Sequence, residues 1–123
     1  MQALAIAAGG ALGALMRYWV STAVYAWLGR AFPWGTLAVN LLGSAVMGVL
    51  YVLLMERLTS GPEVRALVLI GFLGAFTTFS TFSIETFNLI EQAELGKALA
   101  NVLVSVTACV LAAWGGVILG RQL

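Results

Sequence analysis

Charge is what this chain is short of. Of its 123 residues only 9% are Asp, Glu, Lys or Arg, and histidine is absent. Six basic and five acidic side chains leave a net charge of +1. There is no basic surface to hold nucleic acid and no acidic tail. Cys109 is the only cysteine, which excludes an intramolecular disulfide. With histidine missing, it also excludes a His/Cys cluster for zinc or haem. No nucleophile–base pair and no metal-ligand set stand out, which argues against an enzyme.

What fills the chain instead is hydrocarbon. Hydrophobic residues make up 62% and the mean hydropathy is +1.03, a density at which the bilayer is the solvent. A helix needs about 20 residues to cross the hydrocarbon core. Four segments qualify, roughly residues 2–28, 35–55, 65–90 and 96–120. Gly29-Arg30 and Pro33 stop the first, Glu56-Arg57 and Ser60-Gly61-Pro62-Glu63 the second, and Glu91, Glu94, Gly96 and Lys97 the third. The N-terminus has no basic n-region, and its apolar run outlasts an h-region, so it is not expected to be a removable signal. The expectation is one all-α membrane domain over 1–123, with four spans and both termini on one side.

Orientation is weakly encoded. Arg57, Arg65 and Arg121 fall on the side of the termini, Arg30 and Lys97 on the other. Short-loop Lys/Arg bias sets topology, and three against two is nearly none. Such a chain is expected to insert both ways and to pair as an antiparallel dimer, unless a single residue or a partner orients it. Four short helices pack around side chains and leave little lumen, so a permeation path belongs between subunits. Gly9 and Gly13, Ser44 and Gly48, and Gly116 and Gly120 are spaced for close helix pairing.

Polar residues inside the spans carry the functional signal, since a charge near a helix centre costs about 2.5–3.5 kcal/mol on insertion scales. Arg17, with Tyr18 and Trp19 beside it, is either an anion-attracting or structural cation, or a side chain snorkelling to the interface. Asn40 could offer amide donors to an anion without a full charge, or glue two helices together.

The third span contains GAFTTFSTFS, residues 74–83. Read as a continuous helix, Thr78, Thr81, Glu85, Asn88 and Gln92 share one face, and Phe76, Phe79 and Phe82 step by three along an adjacent one. Gly71 and Gly74, followed by Thr77-Thr78, mark where the helix should loosen. Carbonyls freed there could coordinate a small cation. Ring edges are positive and can meet an anion, and rings beside hydroxyls would solvate one weakly at several sites, as conduction needs. Ordinary packing is the other account of the phenylalanines. In the fourth span Asn101, Ser105 and Cys109 recur every four residues, a stripe facing the third span or serines bonded back to their own helix.

GGALGALMRY (9–18), PWGTLAVNLLG (33–43) and GFLGAFTTFSTFSIE (71–85) together resemble the Fluc, or CrcB, family of bacterial fluoride channels. The resemblance implies a dual-topology homodimer in the inner membrane, with two pores that let fluoride leave the cytoplasm passively. It implies that Phe79 and Phe82 meet fluoride with ring edges, that Asn40 is a pore donor, and that Ser80, Thr81 and Ser105 are polar neighbours. Glu85 would lie at the pore's end, and the Gly74 and Thr77 carbonyls of both subunits would hold a structural sodium ion. Arg17 would be the family's first-helix arginine. Cys109 departs from the pattern, where a small hydroxyl residue is expected. Two rivals differ in class. A proton-coupled small multidrug exporter needs an acid in its first span, where this chain has Arg17 and no carboxylate. A non-transporting assembly subunit would use the polar stripes as helix glue and pass no ions.

Overall fold

The computed structural model describes residues 1–58 and 60–123, and these are helical apart from short connections. Helix α1 covers Gln2–Leu28 and α2 covers Trp34–Tyr51, which continues as a wider π-helical stretch, Val52–Arg57. The third span enters as α3 (Pro62–Arg65), continues as a second π-helical stretch (Ala66–Leu73) and as α4 (Gly74–Phe76), then stops. It resumes as α5 (Phe79–Glu91), and α6 (Leu95–Gln122) completes the bundle. Four segments are long and apolar enough to cross a bilayer: Gln2–Leu28, Trp34–Arg57, Pro62–Glu91 and Leu95–Gln122. The last three overrun the hydropathic core of each span, because Arg57, Glu63 and Arg121 still sit on helical turns.

Local chemistry explains the ends. Gly29 takes a positive φ of 84° and turns its N–H back to the Tyr25 carbonyl at 2.8 Å, which closes α1. Pro33 and Pro62 sit at helix starts, where a missing N–H costs nothing. Between α5 and α6 the left-handed position is filled by Ala93, with φ 61°. The Ala93 N–H bonds Ile90 O at 3.0 Å and the Glu94 N–H bonds Leu89 O at 2.8 Å, the paired bonds of a Schellman stop.

The exterior is oilier than the interior. Trp27 is 84% exposed, and leucine, isoleucine and valine side chains cover the outer faces of α1 and α6. The buried set includes Thr36, Asn101 and Ser105. A soluble protein would not present such a surface, and a lipid-facing one should.

Since lipid is as apolar as leucine, helix contact must come from close backbone approach. Helix α1 packs on the π-helical first half of the third span, where a methyl group on Gly9 or Gly13 would run into the Leu67 or Phe72 carbonyl. Helices α2 and α6 meet in the same manner, with Gly48 against Ala113 and Gly116 against Ala45. The glycines spaced for close helix pairing thus do so between helices of one chain.

Candidate functional site

The break in the third span is a two-residue gap. Thr77 (φ −90°, ψ 158°) and Thr78 (φ −152°, ψ 120°) are extended, and backbone so placed at membrane depth must find partners within protein. The Asn40 amide supplies two. Its Oδ1 accepts from the Thr78 N–H at 2.7 Å and its Nδ2 donates to the Thr78 carbonyl at 3.0 Å. Arg17 Nε donates to the Ala75 carbonyl at 3.0 Å, from the other side. Thr77 Oγ1 and N–H both bond Leu73 O, at 3.0 and 3.2 Å. Gly43, one turn beyond Asn40, lets α2 approach this closely, since a methyl group there would strike the Thr77 side chain.

The gap changes the stripe read from helical spacing. Thr78 is not on a helix face but caps α5, its hydroxyl accepting the Thr81 N–H at 3.2 Å and donating to Thr81 Oγ1 at 3.1 Å. Ser80 Oγ stands 3.4 Å from the same hydroxyl. The phenylalanines also part company. Phe76, ahead of the gap, is buried and stacked on Phe72 with ring centres 6.1 Å apart. Phe79 and Phe82, beyond it, are 5.2 Å apart and tilted by 43°. Helical spacing cannot survive two extended residues, so Phe76 leaves the row.

Phe79, Phe82 and Asn40 line a cleft of about 400 Å³, with Ser44, Thr77, Thr78, Ser105 and Cys109. Phe82 is only 7% exposed, whereas Phe79 is 75% exposed and stands out from the wall. Gly74 lies just ahead of the gap, and Ser80 and Thr81 belong to the Thr78 hydroxyl cluster rather than to the lining. Ser105 Oγ donates to Asn101 Oδ1 at 3.2 Å, and Asn101 Nδ2 donates to Thr86 Oγ1 at 2.8 Å. That chain ties α6 to α5 by side chains, not by bonds back to the helix.

Glu85 lies apart from the cleft, on a second cavity of about 150 Å³ near the turns that hold Arg30 and Gln92. Its Oε2 accepts from the Tyr25 hydroxyl at 2.7 Å, and Tyr25 also meets Thr36, with 3.3 Å between the hydroxyl oxygens. Tyr25 and Thr36 escaped the sequence reading. Nothing in local spacing links residues 60 apart, although a Gly35 that admits the Tyr25 ring is a faint sign.

Four helices long and apolar enough to span a bilayer, with a backbone gap in the third beside an aromatic, largely apolar cleft, define a small polytopic membrane protein. The sequence pattern of the family described as CrcB-like protein, Camphor Resistance (CrcB), matches residues 4–117, and the chain belongs to that family. It is 59% identical over 121 residues to a Magnetococcus marinus protein named fluoride-specific ion channel FluC, covering 98% of each chain. A Coxiella burnetii protein of that name is 51% identical over 124 residues, covering 100% of both. A third, from Methylococcus capsulatus, is 56% identical over 119 residues, which are 97% of this chain but 52% of that one. These relatives are named as ion channels, not as enzymes.

Proposed function

We propose that the chain is a fluoride-selective channel that lets the ion leave the bacterial cytoplasm passively across the inner membrane. The observation that carries the reading is Phe79. Other exposed apolar side chains face lipid, but this ring, 75% exposed and within 5.2 Å of Phe82, sits on the cleft beside hydroxyls and an amide. It is well explained as half of a lining completed by a second copy. The near-absence of an orientation signal favours that copy being inverted, in an antiparallel homodimer with two pores.

Along such a path the ring edges of Phe79 and Phe82 present partial positive charge. The second N–H of Asn40, free of Thr78, supplies a neutral donor, and the Ser105 hydroxyl, donating to Asn101 Oδ1, is a polar neighbour of the path. Ser80 and Thr81 are polar neighbours of the cleft through the Thr78 hydroxyl, and Glu85, on the second cavity, would lie at the pore's end. Several weak contacts let an anion replace its hydration in steps and leave again. Arg17 contributes by holding the Ala75 carbonyl, and so the gap, rather than by touching the ion.

A sodium ion on the dimer axis fits the backbone at the gap. In a continuous helix the Gly74 and Thr77 carbonyls would pair with the Thr78 and Thr81 amides. Those amides bond instead to Asn40 Oδ1 and Thr78 Oγ1, leaving two hard oxygen donors of the kind that suits a small cation. Among the described residues no three His, Cys, Asp or Glu side chains converge, so carbonyls are the donor set on offer. When bound, the ion would supply positive charge midway between the pores and tie the two broken spans together.

The test is efflux from liposomes containing only the purified protein, followed with a fluoride electrode, with chloride as control. Fast fluoride release without chloride release, slowed when a large organic cation replaces sodium, is expected. No release from dimeric protein inserted both ways would sink the reading and favour an assembly subunit. Release that required a proton gradient and a cationic drug would favour an exporter.

A further inference from the structure

Among the described residues, one buried side-chain acceptor is left over. Glu85 Oε1 is buried and has no hydrogen-bond partner among the described residues, while Oε2 is held by Tyr25. The Tyr25 ring is itself fixed, by the space above Gly35 and by the Thr36 N–H at 3.4 Å from its hydroxyl. The cavity beside Glu85 is lined by Tyr25 and Arg30 from the end of α1 and its turn, and by Pro33 before α2. Asn88 and Leu89 line it from α5, and Gln92 from the turn that ends the helix. Arg30 is the positive group in that lining, and its Cζ lies 4.5 Å from the centre of the Tyr25 ring. The guanidinium thus rests on the very ring whose hydroxyl holds Glu85.

A carboxylate oxygen kept from water without a donor is unstable as it stands. Arg30 is exposed at a turn and carries five donors on a long stem. We infer that Arg30 is the charge partner of Glu85, moving from the Tyr25 face onto Oε1 and keeping the pore mouth passable to an anion. The inference rests on the fluoride-channel reading above and adds a positioning residue that the Phe79–Phe82 cleft does not contain. Tyr25 is the pivot, holding one oxygen so that the other faces Arg30. Without Arg30, a fluoride ion leaving past Glu85 would meet an unpaired negative charge, here taken at a separation of about 6 Å. For effective dielectric constants from 80 down to 20, that repulsion slows passage by about threefold to about a hundredfold.

Fluoride efflux is compared for the wild type, Arg30→Gln, Arg30→Lys, Glu85→Gln and the Arg30→Gln/Glu85→Gln double variant, each checked for dimer content. Arg30→Gln should be slower by about tenfold, Arg30→Lys should keep most of the rate, and the double variant should match Glu85→Gln. Arg30→Gln at the wild-type rate overturns the pairing, as does a double variant slower than Glu85→Gln. The wild type, both single variants and the double variant are also unfolded at equilibrium in detergent, which tests the pair without any flux. Non-additive losses are expected, and additive ones reject it. A wild type that passes no fluoride while the unfolding cycle shows coupling would refute the channel reading and leave the Arg30–Glu85 pair standing.

Discussion

Replacing Asn40 with alanine removes both partners of the Thr78 peptide group at once. The amide now lies 2.7 and 3.0 Å from the Thr78 N–H and carbonyl, and its loss leaves a donor and an acceptor at membrane depth with no water to take them. Each orphaned group costs about 1–3 kcal/mol, so the gap as it stands should lose about 2–6 kcal/mol. The chain has one escape. If Thr77 and Thr78 fell back to helical angles, the Thr78 N–H could reach the Gly74 carbonyl and the break would close. Stability would then hardly change, but Phe79 would turn away from its place beside Phe82, and the freed carbonyls would be consumed. Equilibrium unfolding in detergent and fluoride efflux from liposomes therefore complement each other, and at least one must change. Hydrogen exchange at the Thr78 amide separates the routes, fast for an open gap and slow for a closed helix. Asn40→Ala with stability within about 0.5 kcal/mol and unaltered efflux would refute the reasoning that one side chain holds the break.

Phe79→Ile should cut fluoride efflux with the dimer intact, because the volume stays and the positive ring edge goes; an unchanged rate takes the rings out of the mechanism. Arg17→Leu should cost about 1.5–3 kcal/mol in detergent unfolding, the range for a hydrogen bond to a charged group, whereas a merely snorkelling arginine would cost little. Ala93→Gly should stabilise the fold by up to about 1 kcal/mol, since relief at φ 61° outweighs the added freedom of the unfolded chain. Thermal unfolding reads that change, and a loss of stability would mean the turn has another constraint. Gly13→Ala should lower the yield of folded protein, because its methyl group meets the Phe72 backbone carbonyl rather than a movable side chain.

The spans were legible because hydropathy integrates over twenty residues and tolerates local irregularity. The place of the break was legible too, from glycines followed by paired threonines. Its consequence for the stripe was not. Periodicity extrapolates one dihedral pair along the chain, and two extended residues reset the phase, so Thr78 and Phe76 were put on faces they do not share with the residues beyond. A cap signal was present in the spacing of Thr78 and Thr81, three apart, but hydroxyls are so frequent here that it did not stand out. Asn40 was singled out by chemistry, as an amide among hydrocarbons, although its partner is backbone and has no sequence signature. Tyr25 was invisible for the opposite reason: an aromatic near a span end reads as an interfacial anchor, and only the fold brings it to Glu85.

The Thr78 peptide group and the Ala75 carbonyl find their partners within the chain, in Asn40 of α2 and Arg17 of α1. The kink can therefore form as soon as those three segments meet, before another copy arrives. In the proposed dimer, each polypeptide would bring a gap already held by its own α1 and α2, and assembly would join two pieces kinked beforehand. Little ordering entropy would then remain to be lost at the gap when two copies meet. The rate of assembly should accordingly follow expression level and lateral diffusion, rather than any slow conformational step.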